Sequence, residues 1–202
     1  GNQVGAEYGL AVATAGDVND DGYSDVLVSA PFYGNGIAGE GMTFAYHGSA
    51  GGLALAPAWS VDSNQGNCRF GWSLGTAGDV NGDGFADAIV GASAFDGGLN
   101  DEGKAFVYHG SGSGLAAAAA WSVEGEKVQA FLGDDARTAG DVNGDGFSEV
   151  VVGAGGFANG ESFEGAIFGF LGSASGLGAT AGWAFESNQV NAGYASGATA
   201  GD

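Results

Sequence analysis

Apolar residues fall along this chain in short runs, each closed by glycine or by a cluster of Asp, Asn and Ser. Residues 70–76 form a first run that ends at the turn Ala77-Gly78-Asp79. Ala86-Asp87-Ala88-Ile89-Val90-Gly91-Ala92 reads as a buried strand. Lys104-Ala105-Phe106-Val107-Tyr108-His109 alternates with period two, as a half-buried strand should. Ala120-Trp121-Ser122-Val123-Glu124 comes last and is closed by glycine and polar residues. Four short strands joined by turns are predicted for this stretch.

The same order recurs along the chain. Ala15-Gly16-Asp17-Val18-Asn19 returns 62 residues later as Ala77-Gly78-Asp79-Val80-Asn81, and after 62 more as Ala139-Gly140-Asp141-Val142-Asn143. A further copy opens at Ala200-Gly201-Asp202. The period also links Glu40, Glu102 and Glu164, each followed by glycine, and Trp59, Trp121 and Trp183. Four-stranded units at such a period are the blades of a β-propeller; a β-helix repeats over far fewer residues, and a sandwich has no internal identity of this kind. The predicted fold is all-β. Blade 1 covers residues 1–64, blade 2 residues 65–126 and blade 3 residues 127–187, with the first strand of another blade over 188–202.

Composition narrows the picture. Glycine supplies 43 of 202 residues, which disfavours helix, because interior glycine costs about 1 kcal/mol against alanine. The chain is 45% hydrophobic, enough to form a core. Four Lys and Arg stand against 24 Asp and Glu, a formal net charge of −20, so a nucleic-acid partner is excluded for want of a basic face. No run approaches the length of a spanning helix, so membrane insertion is not expected. With a single cysteine, Cys68, neither an intrachain disulfide nor a zinc site built on Cys pairs can form. Its repeat equivalents are Ala6 and Ala130, so Cys68 reads as a small tolerated side chain. Gly1 is preceded by no Met or apolar leader, which suggests a removed signal peptide or a piece of something longer.

The candidate chemistry lies between the first and second strands of each unit. Asp17, Asn19, Asp21, Tyr23 and Asp25 occupy positions 1, 3, 5, 7 and 9 of the first loop. Asp79, Asn81, Asp83, Phe85 and Asp87 do so in the second, and Asp141, Asn143, Asp145, Phe147 and Glu149 in the third. Glycine holds position 6 throughout, at Gly22, Gly84 and Gly146. Calcium takes six to eight hard oxygen ligands, and alternate residues of a tight loop can wrap them around one ion. Side-chain oxygens at 1, 3, 5 and 9 and the carbonyl at 7 are the expected ligands, with the aromatic rings at 7 buried beneath the loop. Three Ca²⁺ sites are predicted. The first six positions resemble an EF-hand loop, but position 12 carries Val28, Val90 and Val152 in place of Glu, so strands rather than helices flank the loop.

Phe70-Gly71, Ala77-Gly78-Asp79-Val80-Asn81-Gly82-Asp83-Gly84 and Val90-Gly91-Ala92 together resemble the FG-GAP repeat of integrin α-subunit propellers and of secreted bacterial proteins. The resemblance implies a propeller, often seven-bladed, with calcium held at the fifteen loop residues just named. Departures stand at Tyr8-Gly9 and Leu132-Gly133 in place of Phe-Gly, and none of them touches a loop ligand.

Other positions carry weaker signals. His47 and His109 share a strand position that holds Leu171 in unit three, which points to blade packing rather than catalysis. The periodic tryptophans read as inter-blade core. Unit three places Asp134, Asp135 and Arg137 where units one and two have Leu10, Ala11 and Ala13, then Trp72, Ser73 and Gly75. First strands line a propeller's channel, so this cluster reads either as a ligand contact or as a surface ion pair. No triad or Cys–His pair stands apart from the repeat, so an enzyme is not expected. The functional expectation is a secreted or cell-surface calcium-binding module for a protein or glycan ligand. The alternatives are a lectin with sites between blades, or an accessory domain of a secreted hydrolase. Three blades do not close a ring, so the chain is expected to be part of a longer propeller or to self-associate, most simply as a dimer.

Overall fold

The computed structural model describes residues 3–193. Twelve strands form three four-stranded antiparallel sheets, with no helix among the described residues. The first sheet holds β1 (Val12–Gly16), β2 (Asp25–Ala30), β3 (Met42–Tyr46) and β4 (Trp59–Asp62), hydrogen-bonded in that order. The second holds β5 (Phe70–Gly78), β6 (Asp87–Ala92), β7 (Lys104–Tyr108) and β8 (Trp121–Glu124). The third holds β9 (Leu132–Gly140), β10 (Glu149–Ala154), β11 (Ala166–Phe170) and β12 (Trp183–Glu186). The predicted strand over 188–202 falls largely outside the described residues.

Why the second strands read as unbroken apolar runs is settled by their two faces. All six residues of β6 are buried. Ala88, Val90 and Ala92 pack toward the first sheet with Leu27, Ala45 and Phe70, while Ile89 points the other way, among Val150, Val152 and Phe170 of the third. The hydrophobic core therefore lies between sheets, in two layers, and each sheet is covered by its neighbours. Trp59 and Trp121 sit in these joints, as their period predicted. Trp59 Nε1 donates to the Ala116 carbonyl at 2.9 Å and Trp121 Nε1 to the Gly178 carbonyl at 2.9 Å, each in the following blade. Trp183 packs instead against Phe185 of its own strand, and Phe185 is 68% exposed.

The predicted first strand stopped at Thr76, but β5 runs on to Gly78 through a shift in register after Thr76. The cause is local. Thr76 Oγ1 accepts the Gly78 N–H at 3.0 Å, pinning a bulge, and Thr14–Gly16 and Thr138–Gly140 repeat the bond at 3.1 and 3.0 Å. Gly78 sits at φ 77°, and a Cβ there would lie 2.3 Å from Ser148 Oγ of the next blade. Glycine is required at this bulge for both reasons. The bulge turns the chain into the acidic loop.

Equivalent valines measure what a neighbouring blade contributes. Val18 and Val80 are fully buried beneath the following blade, whereas Val142 is 58% exposed. Ile89→Ala should cost about 2–5 kcal/mol in urea unfolding, because it hollows a two-sided core. Val142→Ala should stay within about 0.5 kcal/mol. Equal losses at the two positions would contradict an inter-blade core.

Candidate metal centre

Each loop joining a first to a second strand is folded by its own side chains. In the first, Asp17 Oδ1 accepts the Asp21 N–H at 3.1 Å and Oδ2 the Gly22 N–H at 2.8 Å. Asn19 Oδ1 accepts the Asp21 N–H at 3.2 Å, and Asp21 Oδ1 accepts the Tyr23 N–H at 3.0 Å. The second and third loops repeat the pattern around Asp79, Asn81 and Asp83, then Asp141, Asn143 and Asp145. Alternate side chains thus turn their oxygens inward, each braced by a backbone amide two to five residues on. The glycines at position 6 have φ of 87°, 91° and 94° with open space around them, so conformation alone demands glycine there. Position 4 is left-handed as well, at Asp20, Gly82 and Gly144, which the ligand spacing did not signal.

Position 9 is the buried anchor of the loop. Asp25 and Asp87 have no solvent exposure. Asp25 Oδ2 accepts the Val18 N–H and Oδ1 the Gly48 N–H, both at 2.9 Å, tying the loop to the turn that follows β3. Asp87 does the same with Val80 at 3.0 Å and Gly110 at 2.9 Å. Burial pushes the Asp87 carboxyl up to about 6; the two amides and His109 pull it down, and Asp83 adds to the rise.

Unit three solves the same problem with different atoms. In the first two units the Asn19 and Asn81 amides meet His47 Nδ1 and His109 Nδ1 at 3.4 and 3.3 Å. Leu171 offers no such acceptor. There Glu149, one methylene longer than Asp, keeps Oε2 on the Val142 N–H at 2.7 Å and brings Oε1 to 3.3 Å from the Asn143 amide. The two departures of unit three, Leu for His and Glu for Asp, are therefore one compensation. The histidines pack between blades as expected, with Gly114 and Gly176 of the next blade beside their Nε2 atoms.

The rings at position 7 depart from expectation. Phe147 leans on the preceding blade, where a Cβ on Gly82 would lie 2.6 Å from its ring; it does not lie beneath its own loop. Tyr23, in the first blade, is 42% exposed. The loops are also joints: Ala86 N–H donates to the Asp17 carbonyl at 3.0 Å, and Ser111 N–H to the Val18 carbonyl at 3.0 Å. Ser148 with Asp79, and Ser173 with Val80, repeat this one blade further at 2.8 and 3.1 Å.

The periodic glutamates, for which the spacing supplied no role, are buried loop braces. Glu102 Oε1 accepts the Gly97, Gly98 and Leu99 N–H groups at 2.5, 2.6 and 3.2 Å, and Glu40 and Glu164 hold Asn35 and Asn159 likewise. Cys68 is buried against Ser63, and burial pushes its thiol up, as suits a packing role.

No cluster of three or more Asp, Glu, His or Cys side chains placed to hold a metal occurs among the described residues. Each loop instead combines carboxylates with an Asn amide oxygen and main-chain carbonyls. That donor set, all hard oxygen, suits Ca²⁺ and not a nitrogen- and sulfur-seeking ion such as zinc. The ion pairs found among the described residues, Lys104–Glu124 and Arg137–Asp135, involve none of the loop carboxylates.

Comparison with known proteins agrees with this architecture. The FG-GAP repeat model matches residues 8–45, 70–108 and 138–169, more than half of the chain. The chain belongs to the FG-GAP repeat family. It is 32% identical to integrin alpha-4 of Xenopus laevis over 158 residues, and 35% identical to integrin alpha-7 of Homo sapiens over 160. Each match covers 76% of this chain but only 15% and 13% of the relative. Integrin alpha-PS3 of Drosophila melanogaster is 41% identical over 93 residues, 43% of this chain and 8% of that protein.

The compensation in unit three can be tested with chelator present, so that no ion contributes. Glu149→Asp should destabilise the chain by about 1 kcal/mol. Adding Leu171→His should recover much of that loss, with a coupling of at least about 0.5 kcal/mol in a double-mutant cycle. Strictly additive effects would separate the two departures.

Proposed function

We propose that this chain is a calcium-stabilised, non-catalytic propeller module of a secreted or cell-surface protein, serving adhesion or ligand binding. The observation that carries the reading is the triplicated loop, in which inward-turned oxygens at positions 1, 3 and 5 are in no ion pair among the described residues. In each loop the first, third and fifth side chains and the position-7 carbonyl would hold one Ca²⁺. The buried carboxylates of Asp25, Asp87 and Glu149 would hold the loop in register and complete the set. The ion would relieve repulsion among clustered carboxylates and stiffen a loop that is also a joint between blades. Three ions would add six positive charges to a chain of net −20.

Similarity to integrin α-subunits supports the adhesion reading, with a protein or glycan as partner. Extracellular modules hold calcium with dissociation constants of about 10⁻⁴–10⁻³ M, which only extracellular calcium would fill. The joint surface exposed around Val142 and Phe185 suits a further blade, from the same longer chain or from a second copy.

At ten times such a constant each site adds roughly 1.4 kcal/mol. Excess chelator should therefore lower the melting temperature by several degrees, at about 2–4 °C per kcal/mol for a chain of this size. An unchanged melting temperature would remove the stabilising role. Calorimetry should count three ions, and two after Asp83→Ala; three ions in that variant would displace position 5 from the ligand set.

A further inference from the structure

Repeat symmetry separates side chains that hold the fold from those with another duty. The buried glutamates, the periodic tryptophans and the loop aspartates at positions 1 and 5 recur in every unit. The first strands do not follow this rule. Arg69 in unit two is matched by Phe131 in unit three, Trp72 by Asp134, Ser73 by Asp135 and Gly75 by Arg137. These unlike residues all line one cleft of about 970 Å³ between the first strands of the three blades, a volume typical of ligand sites.

The cleft holds two of the four basic residues of the chain, Arg69 and Arg137. Both are fixed in place. Arg137 donates from Nε and Nη2 to Asp135 Oδ1 at 2.8 and 2.6 Å, and the Arg69 guanidinium lies 5.0 Å from the Trp72 ring centroid. Arg69 and Phe131 hold the left-handed backbone at φ 58° and 53°, as the equivalent Glu7 of unit one does at 53°, so the backbone turn belongs to the repeat and only its side chain changes from unit to unit.

Charge and shape define the ligand. Two guanidinium groups and the carboxylates of Asp134 and Asp135 leave the cleft without net charge, while the whole chain carries −20. The surrounding field opposes an anion, and a metal ion would find denser carboxylate in the loops. What the cleft presents is a set of fixed planar donors and acceptors beside the Trp72 and Phe131 rings. The hydroxyl groups of a sugar both donate and accept, and its ring offers an apolar C–H face. We propose that this cleft binds a neutral sugar, held by hydrogen bonds to Arg69, Asp134, Asp135 and Arg137 and packed against Trp72. This deepens the binding-module reading and rests on it for the presence of a ligand, but not on its calcium sites.

The test is to probe immobilised neutral oligosaccharides of galactose, mannose, glucose and their N-acetyl forms, beside uronate-bearing ones, with the full chain in calcium buffer. A neutral glycan should be retained equally at low and high salt. Trp72→Ala and Asp134→Asn should each weaken retention roughly tenfold or more at an unchanged melting temperature. Retention of no neutral glycan, retention that survives either substitution, or salt-sensitive retention of uronates alone would overturn the proposal. Calcium titration of the same protein keeps the two readings apart. Three bound ions without a retained glycan would overturn the cleft alone, whereas a retained glycan without bound calcium would overturn the loops alone.

Discussion

Everything in this molecule depends on contact between sheets, because no blade has an interior of its own. The two hydrophobic layers are shared surfaces, each drawing residues from two consecutive blades. A four-stranded sheet a few residues long cannot shelter its faces by curling, so its stability is borrowed from its neighbours. The acidic loops take part in that borrowing. The carbonyls at positions 1 and 2 accept hydrogen bonds from the next blade, while the side chains at 1, 3 and 5 are braced inward. One short segment thus serves as joint and as candidate cation site, and a change in its charge bears directly on how blades are held together.

The strand order was readable because each strand has a plain pattern and glycine-rich punctuation around it. Asp87–Ala92 does not alternate because both its faces are covered, and Lys104–Tyr108, expected to be half-buried, also meets a core on each face, Ala105 and Val107 entering one and Phe106 and Tyr108 the other. Strand ends were less legible. The extension of β5 to Gly78 depends on a threonine hydroxyl holding a bulge, a bond that apolar periodicity does not register. The loop carboxylates were visible in their spacing, but the burial of Asp25 and Asp87 and their bonds to a distant turn came only from the fold. Phe147 shows the same limit, since its resting place is a glycine in another blade. Contacts across the repeat boundary are invisible to any reading confined to one unit.

Internal repetition also makes the exceptions informative. Leu171 looks like the loss of a histidine and Glu149 like a conservative drift, until the Asn143 amide is seen bonded to Glu149 where the first two units use a histidine. The first strands differ in another way, because their departures are not compensated from within but gather at a common cleft. Departures of the first kind preserve a structure; those of the second kind change what a surface offers.

The joint itself has an evolutionary consequence. Each 62-residue unit carries on one side the tryptophan and loop carbonyls that a neighbour receives, and on the other the receiving amides and carbonyl. Tandem duplication of such a unit therefore creates a matched interface at once, with no new surface to be selected. Lengthening the array is the mutation that this architecture tolerates best, whereas altering one side of the joint requires a matching change in the adjoining copy.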